Sequence, residues 1–305
     1  MNNQQILSEK NTGSSNLHAS AILVSWNSKE ILRTCLTGLL QQKNIDLDIF
    51  VVDNNSSDET VQMLRMEFPR VRCISNTHNA GFSAANNQVL RIAKGDYLIL
   101  LNPDIEFSHP YTLSTFLLEQ RKCQSGIAGP KLLNTDGSVQ KSVRSDPTFA
   151  SQAMILLKLH IFFPNLPVFK HYYRSDFNYH TSQLVDQISG AFFSISRECF
   201  EKVGLLDERF YIWFEEVDYC FRARKNFFSV RYISETAVTH HGGQSFQKVM
   251  PINRQKVFNK SLRLFAKKYF NPLQVFILSI LMPINIIFAF VTPKSTKPSS
   301  YRLKP

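Results

Sequence analysis

Leu100-Leu101-Asn102-Pro103-Asp104 sets a carboxylate at the end of an apolar run. A carboxylate so placed can hold Mg²⁺ or Mn²⁺, hard cations that take oxygen ligands and keep open positions for a substrate diphosphate. The plainer alternative is an Asn-Pro turn in which Asp104 caps the next stretch of backbone. Asp53 closes a second apolar run, in Val51-Val52-Asp53-Asn54-Asn55-Ser56-Ser57-Asp58. Its carboxylate can accept the N–H of a pyrimidine base or a ribose hydroxyl, and local capping has better candidates in Ser56 and Ser57. Trp213-Phe214-Glu215-Glu216-Val217-Asp218-Tyr219 crowds three carboxylates beside large aromatics. Neighbouring like charges and partial burial raise a carboxyl pKa, which suits a general base that takes a proton from a sugar hydroxyl. An acidic first helical turn gives the same pattern for structural reasons alone. Adjacent residues cannot all face one site, so one acid faces an acceptor and another makes a structural contact, for example with Arg222 or Arg224. His240-His241-Gly242-Gly243 adds imidazole that can complete a mixed nitrogen and oxygen shell around Mn²⁺, and glycines that let backbone approach a phosphate. A lone histidine is more often structural.

These groups fall where apolar runs stop. Ala21 to Trp26, Asp48 to Asp53, Val71 to Ser75 and Tyr97 to Leu101 are short and rich in Ile, Val and Leu, the composition of strands buried on both faces. Helical patterns lie between them. Ile31, Leu32, Cys35, Leu36, Leu39 and Leu40 make one apolar stripe, with Asn27 and Glu30 spaced as a capping box. Ser56 and Glu59 repeat that spacing before Val61, Leu64 and Phe68, and a third helix is expected from Phe82 to a left-handed stop at Gly95. Strands alternating with single helices imply right-handed crossovers and a mostly parallel sheet, whose ligands sit beyond the carboxyl ends of the strands. That rule makes Trp26-Asn27, Asp53 to Asn55, Asn76 to Gly81 and Asn102 to Asp104 neighbours in space.

The pattern weakens from Ser108 to Val185. Met154 to Phe169 is apolar and aromatic with Pro164 and Pro167 inside it, and reads equally as an acceptor-side loop, a membrane-contacting loop or an irregular core helix. Structure resumes at Gln187 to Ser196, a helix Arg197 to Val203 and a last strand Ser229 to Ile233. The 305-residue chain is 44% hydrophobic and 19% charged, an ordinary globular composition, and carries a net charge of +11. That charge suits nucleic acid, anionic lipid or polyphosphate equally, but the chain has no nucleic-acid-binding module. Five widely spaced cysteines without a CxxC pair suit reduced thiols rather than a disulfide scaffold or a zinc site. Residues 1–19 form a polar tail without the basic-then-apolar plan of a signal peptide. Leu273 to Val291 is nearly all apolar and borderline in length for a membrane span, with basic residues on both flanks, among them Arg263, Lys267 and Lys268 before it and Lys294, Lys297, Arg302 and Lys304 after it. Two basic flanks give no orientation, and Pro283 near the middle favours a monotopic or re-entrant anchor over a span.

In their order and spacing these motifs resemble glycosyltransferase family 2, and within it the rhamnosyltransferase-like members of O-antigen and cell-surface polysaccharide synthesis. The resemblance rests on Val24 to Asn27, Val52 to Ser56, Asn79 to Phe82 with Asn86-Asn87, and Leu101 to Asp104. Farther along it rests on Gly190 to Phe192, Val203 to Phe210, Phe214 to Asp218 and His240 to Ser245. It implies a GT-A-type, Rossmann-like α/β fold over residues 20–250, with a nucleotide-sugar half at 20–107 and an acceptor half at 108–250. A basic and apolar membrane-associating region would come after it at 251–305. Nucleotide-sugar contacts would come from Trp26, Asn27, Asp53, Asn55, Asn79, Gly81, Asn86 and Asn102. Asp104 and His240 would hold Mg²⁺ or Mn²⁺, with Asp104 the surviving acid of the family's DxD motif. Glu216 would be the catalytic base with Glu215 as fallback, and Gly190, Asp207 and Asp218 would lie on the acceptor side.

The implied reaction inverts the anomeric centre, moving a sugar from a nucleoside diphosphate to a polyprenyl-diphosphate-linked saccharide at the cytoplasmic face of the inner membrane. L-rhamnose from dTDP-rhamnose is the donor of that subgroup. Asn102 stands where the first acid of DxD is usual, a form familiar in the rhamnosyltransferase-like members, and Glu216 replaces the commoner Asp. A nucleotidyltransferase would need a Gly-rich phosphate loop after the first strand, where this chain has Trp26-Asn27-Ser28-Lys29-Glu30. A non-catalytic nucleotide-sugar or lipid binder is the other alternative.

Overall fold

The computed structural model describes residues 17–242 and 251–291. The expected alternation is present as β1 (His18–Ser25), α1 (Lys29–Leu40), β2 (Asp46–Asp53), α2 (Thr60–Glu67), β3 (Arg72–Ser75), α3 (Phe82–Leu90) and β4 (Tyr97–Leu101). The first strand thus begins at His18, slightly ahead of residue 20. These strands lie parallel in the order β3-β2-β1-β4. Alternation along each strand sorts side chains between two cores. Ala19, Ala21 and Leu23 of β1 join Ile99 and Leu101 of β4 against Leu32 and Leu36 of α1. Ile22, Leu98 and Leu100 face the other way, onto Ala85 and Val89 of α3. A strand covered on both faces has to be apolar at every position, as Tyr97–Leu101 is.

After β4 the chain adds β5 (Ile105–Glu106), α4 (Thr112–Lys122), β6 (Ile127–Leu133), β7 (Val139–Gln140) and β8 (Val143–Arg144). Three short helices come next, α5 (Phe149–Leu156), α6 (Leu159–Phe162) and α7 (Pro167–Tyr172), then β9 (Gln183–Leu184), β10 (Gln187–Ile188), β11 (Phe192–Ser196), α8 (Arg197–Val203), α9 (Glu215–Lys225) and β12 (Val230–His240). Strand β11 enters antiparallel between β4 and β6, and the full order is β3-β2-β1-β4-β11-β6-β12-β5. The stretch Gln187 to Ser196 divides between two sheets, because β10 leaves to pair with β8. The last strand does not stop at Ile233 but runs through a bulge to His240. Two C-terminal helices, α10 (Pro251–Tyr269) and α11 (Pro272–Val291), share a third core, in which Leu262, Phe265, Leu278 and Met282 meet Leu156 and Phe214. Among the described residues no helix is long and apolar enough to cross a membrane. All five cysteines are free, and Cys35, Cys199 and Cys220 are buried.

Several local expectations change. Neither capping box forms: α1 starts at Ser28 and α2 at a left-handed Glu59, both without a side-chain cap. The residues involved clasp neighbouring loops instead, since Asn27 N donates to Ser56 Oγ (2.9 Å) and Asn27 Oδ1 accepts from Ser57 N (2.8 Å). Side-chain bonds between the β1–α1 and β2–α2 loops compete with capping and win here. Helix α3 ends at Leu90, and Gly95 is not among the residues with positive φ. Its role is close approach: a Cβ there would lie 2.5 Å from the backbone N of Ser20. Gly95→Ala should therefore cost about 1–3 kcal/mol of unfolding free energy through overpacking. Urea denaturation checks this, and an unchanged midpoint would contradict the close-approach account.

Candidate active site

The carboxyl ends of β1, β2 and β3 align, with Ser25 level with Asp53 and Asp53 level with Ser75. Asp53 is 1% exposed. Its Oδ2 accepts from Ser56 N (2.9 Å), and its buried Oδ1 has no partner. An unsatisfied buried acceptor is costly, so a ligand N–H or O–H fits this position. Around it the loops are tied by Asn54, whose Nδ2 donates to Gly81 O (3.2 Å) while its Oδ1 accepts from Asn76 Nδ2 (2.9 Å). Asn79 Oδ1 accepts from Gly81 N (3.0 Å). Gly81 has φ 85, and a Cβ there would meet Tyr211 at 2.6 Å. Phe82 N also donates to Tyr211 O (2.6 Å). Trp26 is half-buried just past β1, and Asn55 is exposed at φ 64. Asn86 is wholly buried, donates back to Phe82 O (2.9 Å) and leaves its Oδ1 unpaired. Its neighbour Asn87 is structural, bonded to both the N and the O of Leu206.

The metal candidates Asp104 and His240 meet across the sheet, because β12 pairs His240 with Ile105 of β5. Gln140 holds the imidazole. Its Nε2 donates to Asn134 Oδ1 (3.0 Å), so its Oε1 faces His240 Nδ1 (2.7 Å) as an acceptor. His240 Nε2 lies 3.2 Å from Asp104 Oδ1, a buried oxygen without a hydrogen-bond partner. An imidazole nitrogen beside a carboxylate is a suitable donor set for Mg²⁺ or Mn²⁺. Among the described residues no group of three His, Cys, Asp or Glu is arranged to hold a metal, so diphosphate and water would complete the shell. Asn102, expected to serve a ribose, turns its Nδ2 toward His240 Nε2 (3.3 Å). His241 pairs with Glu106 (2.8 Å) instead of joining the site. Gly243, Gln244 and Ser245 lie outside the described residues.

Glu215 and Glu216 open α9. Glu215 is 5% exposed, and each has a buried Oε2 without a partner. Burial pushes the Glu215 carboxyl well above the ordinary value, and the charge of Glu216 adds to this. Burial also raises Glu216, but the helix-start N–H groups and the guanidinium of Arg144 hold it back. The Arg144 guanidinium thus favours negative charge on Glu216 rather than on Glu215. Arg144 lies on β8 opposite Gln187 of β10, with its guanidinium over the rings of Tyr172 and Tyr173. Gly190 sits against the Glu216 side chain, where a Cβ would be 3.6 Å from that of Glu216. The next residue closes the site, since Ala191 O accepts from Asn102 N (2.9 Å). Gly190-Ala191 thus touches Glu216 at one end and the Asn102–Asp104 strand end at the other.

Asp207 and Asp218, expected near an acceptor, are structural. Asp218 is wholly buried and takes Arg222 Nε (2.9 Å), Tyr269 OH (2.6 Å) and Lys268 Nζ. Lys268 also bridges to Asp207 (3.0 Å), whose carboxyl is held far below its ordinary range chiefly by the Arg209 fork. Both oxygens of Asp218 are thus engaged within the protein. Trp213 and Phe214, just ahead of α9, hold left-handed φ values of 66 and 71. Such backbone costs about 1–3 kcal/mol per residue and persists only where packing enforces it. The enforcement comes from α10: Phe214 meets Phe265 (5.3 Å between centroids) and Phe258 (5.6 Å), and Ser261 Oγ donates to Ile212 O (2.8 Å). Gln140, Arg144 and Tyr211 carry no signal in the sequence, and Lys268 stands out there only as a basic flank of the apolar C-terminal segment. Each is defined by a contact distant in the chain.

Residues 20–204 match the family described as Glycosyl transferase family 2. The chain belongs to that family. Among curated relatives it is 26% identical over 236 residues to an N-acetylglucosaminyl-diphospho-decaprenol L-rhamnosyltransferase of Mycobacterium tuberculosis, across 73% of this chain and 76% of the relative. It is 28% identical over 211 residues to a low-salt glycan biosynthesis hexosyltransferase of Haloferax volcanii, across 68% of this chain and 61% of that protein. Among solved structures it is similar to a mannosyltransferase from Pyrobaculum calidifontis in complex with GDP-Man and Mn²⁺. That match has a TM-score of 0.57 and 14% identity, and covers 90% of this chain and 73% of that one. At this identity the likeness bears on the fold, which is GT-A-like. Glu215, Glu216 and His240 lie beyond the matched family segment, so their roles rest on geometry.

The glutamate pair has a measurable signature. A carboxyl whose folded pKa is raised stabilises the fold fully below its unfolded pKa, near 4.5, and that stability is lost as pH rises through the folded value. Glu215→Gln should match the wild type in stability near pH 4 and exceed it increasingly toward pH 8 in denaturant titrations. A variant less stable than wild type at pH 8 would mean that ionised Glu215 is compensated.

Proposed function

We propose that this family 2 glycosyltransferase is an inverting enzyme that moves L-rhamnose from dTDP-rhamnose to a hydroxyl of a polyprenyl-diphosphate-linked saccharide in bacterial surface polysaccharide synthesis. One observation carries the enzymatic reading: Gly190-Ala191 joins the Glu216 base to the Asn102–Asp104 strand end, so a proton acceptor and an anion-neutralising site flank one position. The mycobacterial relative supports the sugar and the lipid-linked acceptor, since its own name specifies L-rhamnose and a diphospho-decaprenol saccharide.

In this reading the unpaired Oδ1 of Asp53 accepts an N–H from the nucleotide base. Ionised Glu216 takes the proton from the acceptor hydroxyl as its oxygen forms a bond to the anomeric carbon from the face opposite the diphosphate. The bond from that carbon to the diphosphate oxygen breaks, and the nucleoside diphosphate leaves with the electron pair. Asp104 and His240 would hold Mg²⁺ or Mn²⁺, which supplies neutralisation of the leaving diphosphate. Buried Glu215 keeps its proton and so spares Glu216 a second adjacent negative charge.

The same reading places the protein at the cytoplasmic face of the inner membrane, attached through region 251–305. Support comes from the exposed faces of the C-terminal helices. Helix α10 exposes Lys256, Lys260, Arg263 and Lys267, while α11 contains no charged residue and exposes Leu273, Phe276, Ile280, Ile284 and Ile287. A helix that is basic beside one that is apolar suits attachment to an anionic surface without crossing it.

Glu216→Gln should lower kcat roughly 100-fold to 10,000-fold with donor affinity near wild type. Calorimetry with the nucleotide sugar, beside a radiolabelled transfer assay, tests this, and a matching loss of donor binding would remove Glu216 from the base role. Asp104→Ala should eliminate the stimulation of transfer by Mn²⁺ or Mg²⁺. Full metal-dependent activity in that variant would refute the Asp104–His240 site.

A further inference from the structure

The apolar stretch Met154 to Phe169 divides its side chains unequally. Leu156 and Phe169 are wholly buried, whereas the three consecutive residues Ile161, Phe162 and Phe163 stand out at 52%, 70% and 56% exposure. Single exposed apolar residues are ordinary, but three large ones in succession at a protruding turn are not. They lie at the end of α6, which the chain enters through a left-handed Lys158. This tip adjoins the C-terminal helices. Asn285 Nδ2 of α11 donates to Leu156 O (2.7 Å), and Lys158 Nζ donates to Gln255 Oε1 of α10 (3.0 Å). Ile284 and Ile287, which flank Asn285, belong to the exposed apolar stripe of α11. The segment that carries the tip is therefore bonded to the helix that carries that stripe, although the two are more than a hundred residues apart in the chain.

Basic groups border both parts. Helix α10 carries its exposed cations without any acid. Beyond the tip, Lys170, His171 and Arg174 line a cavity of about 480 Å³ together with Ser175 and Asp176. We propose that Ile161-Phe162-Phe163 is a second membrane-inserting element that docks with α11 on an anionic bilayer, its apolar side chains entering the boundary between headgroups and acyl chains. The inference rests on the membrane attachment read above and adds to it a contact outside region 251–305. Charge selects the occupant. Two copies meeting through this face would bring cationic borders together, whereas anionic headgroups neutralise them. The Lys170–Arg174 cavity then lies at headgroup level, where lipid phosphates are met.

The test uses the full chain and sedimentation with vesicles of phosphatidylcholine, with or without phosphatidylglycerol. Wild type should pellet with the anionic vesicles. Phe162→Ser with Phe163→Ser should weaken that partitioning roughly tenfold or more, as expected for withdrawing buried aromatic area, and should leave Tm unchanged because both side chains are exposed. Phe162→Trp should give tryptophan fluorescence that brominated acyl chains quench beyond the quenching of the two native tryptophans. If the double variant pellets like wild type and no added quenching appears, while Ile280→Ser with Ile284→Ser abolishes pelleting, the tip is not inserted and the α11 attachment stands. If wild type pellets with neither vesicle, the membrane reading itself fails. A concentration-dependent dimer that the double Phe variant dissolves, in a protein that ignores vesicles, assigns the face to a second copy.

Discussion

Two bulky residues in succession, Trp213 and Phe214, are held in left-handed backbone, and the presentation of Glu215 and Glu216 depends on that turn. Nothing in the turn itself favours the conformation, since neither residue is Gly, Asn or Asp. It is imposed by Phe258 and Phe265 of α10, which enclose Phe214, and by the Ser261 bond to Ile212. The C-terminal helices are therefore part of the site even though they carry none of its reactive groups. A hypothesis about membrane attachment and one about catalysis meet here, because the helix that would sit on the bilayer also fixes the entry to α9.

Helix α9 shows how one acidic stretch is divided between two tasks. Asp218 receives Arg222, Lys268 and Tyr269 and binds α9 to α10, and its charge is fully compensated. Glu215, buried, and Glu216, half-buried, come three and two residues earlier and form no ion pair, Arg144 acting on Glu216 only through its charge. Stability alone would pair or remove such groups. Buried carboxyls without a paired cation are what proton transfer requires, in keeping with the role proposed for Glu216.

The fold, and the gathering of the candidate groups at the strand ends, were legible because they follow from local rules. Tyr97–Leu101 could only be a strand covered on both sides, and the position of Asp104 at its end follows from the placement of ligands in parallel sheets. Asp53 stood out for the same reason. The misread details share a different origin. Asn27 and Ser56 have good capping chemistry, but a neighbouring loop outcompetes the helix for it, and Gly95 serves the passage of β1 rather than a helix stop. Asp218 is close to the catalytic candidates in sequence but is bonded to the C-terminal helix α10, and only the position of Lys268, fifty residues on, shows what it does. Gln140 sits in a stretch with no periodicity, so its bond to the His240 ring had no sequence signal.

Strand β11 has a consequence for how the molecule can be divided. It comes from the later part of the chain, yet it lies between β4 and β6, with Phe192 beside Leu101 and Ser194 beside Ala128. The earlier and later stretches are thus not two modules joined by a hinge. A fragment ending after β5 would expose the whole apolar edge of β4, and a chimera that exchanged only the later stretch would have to bring a central strand matched to another protein's β4. Change is least disruptive outside the central strands, in the α5–α7 segment and the β8–β10 ribbon, where it leaves the shared strands intact.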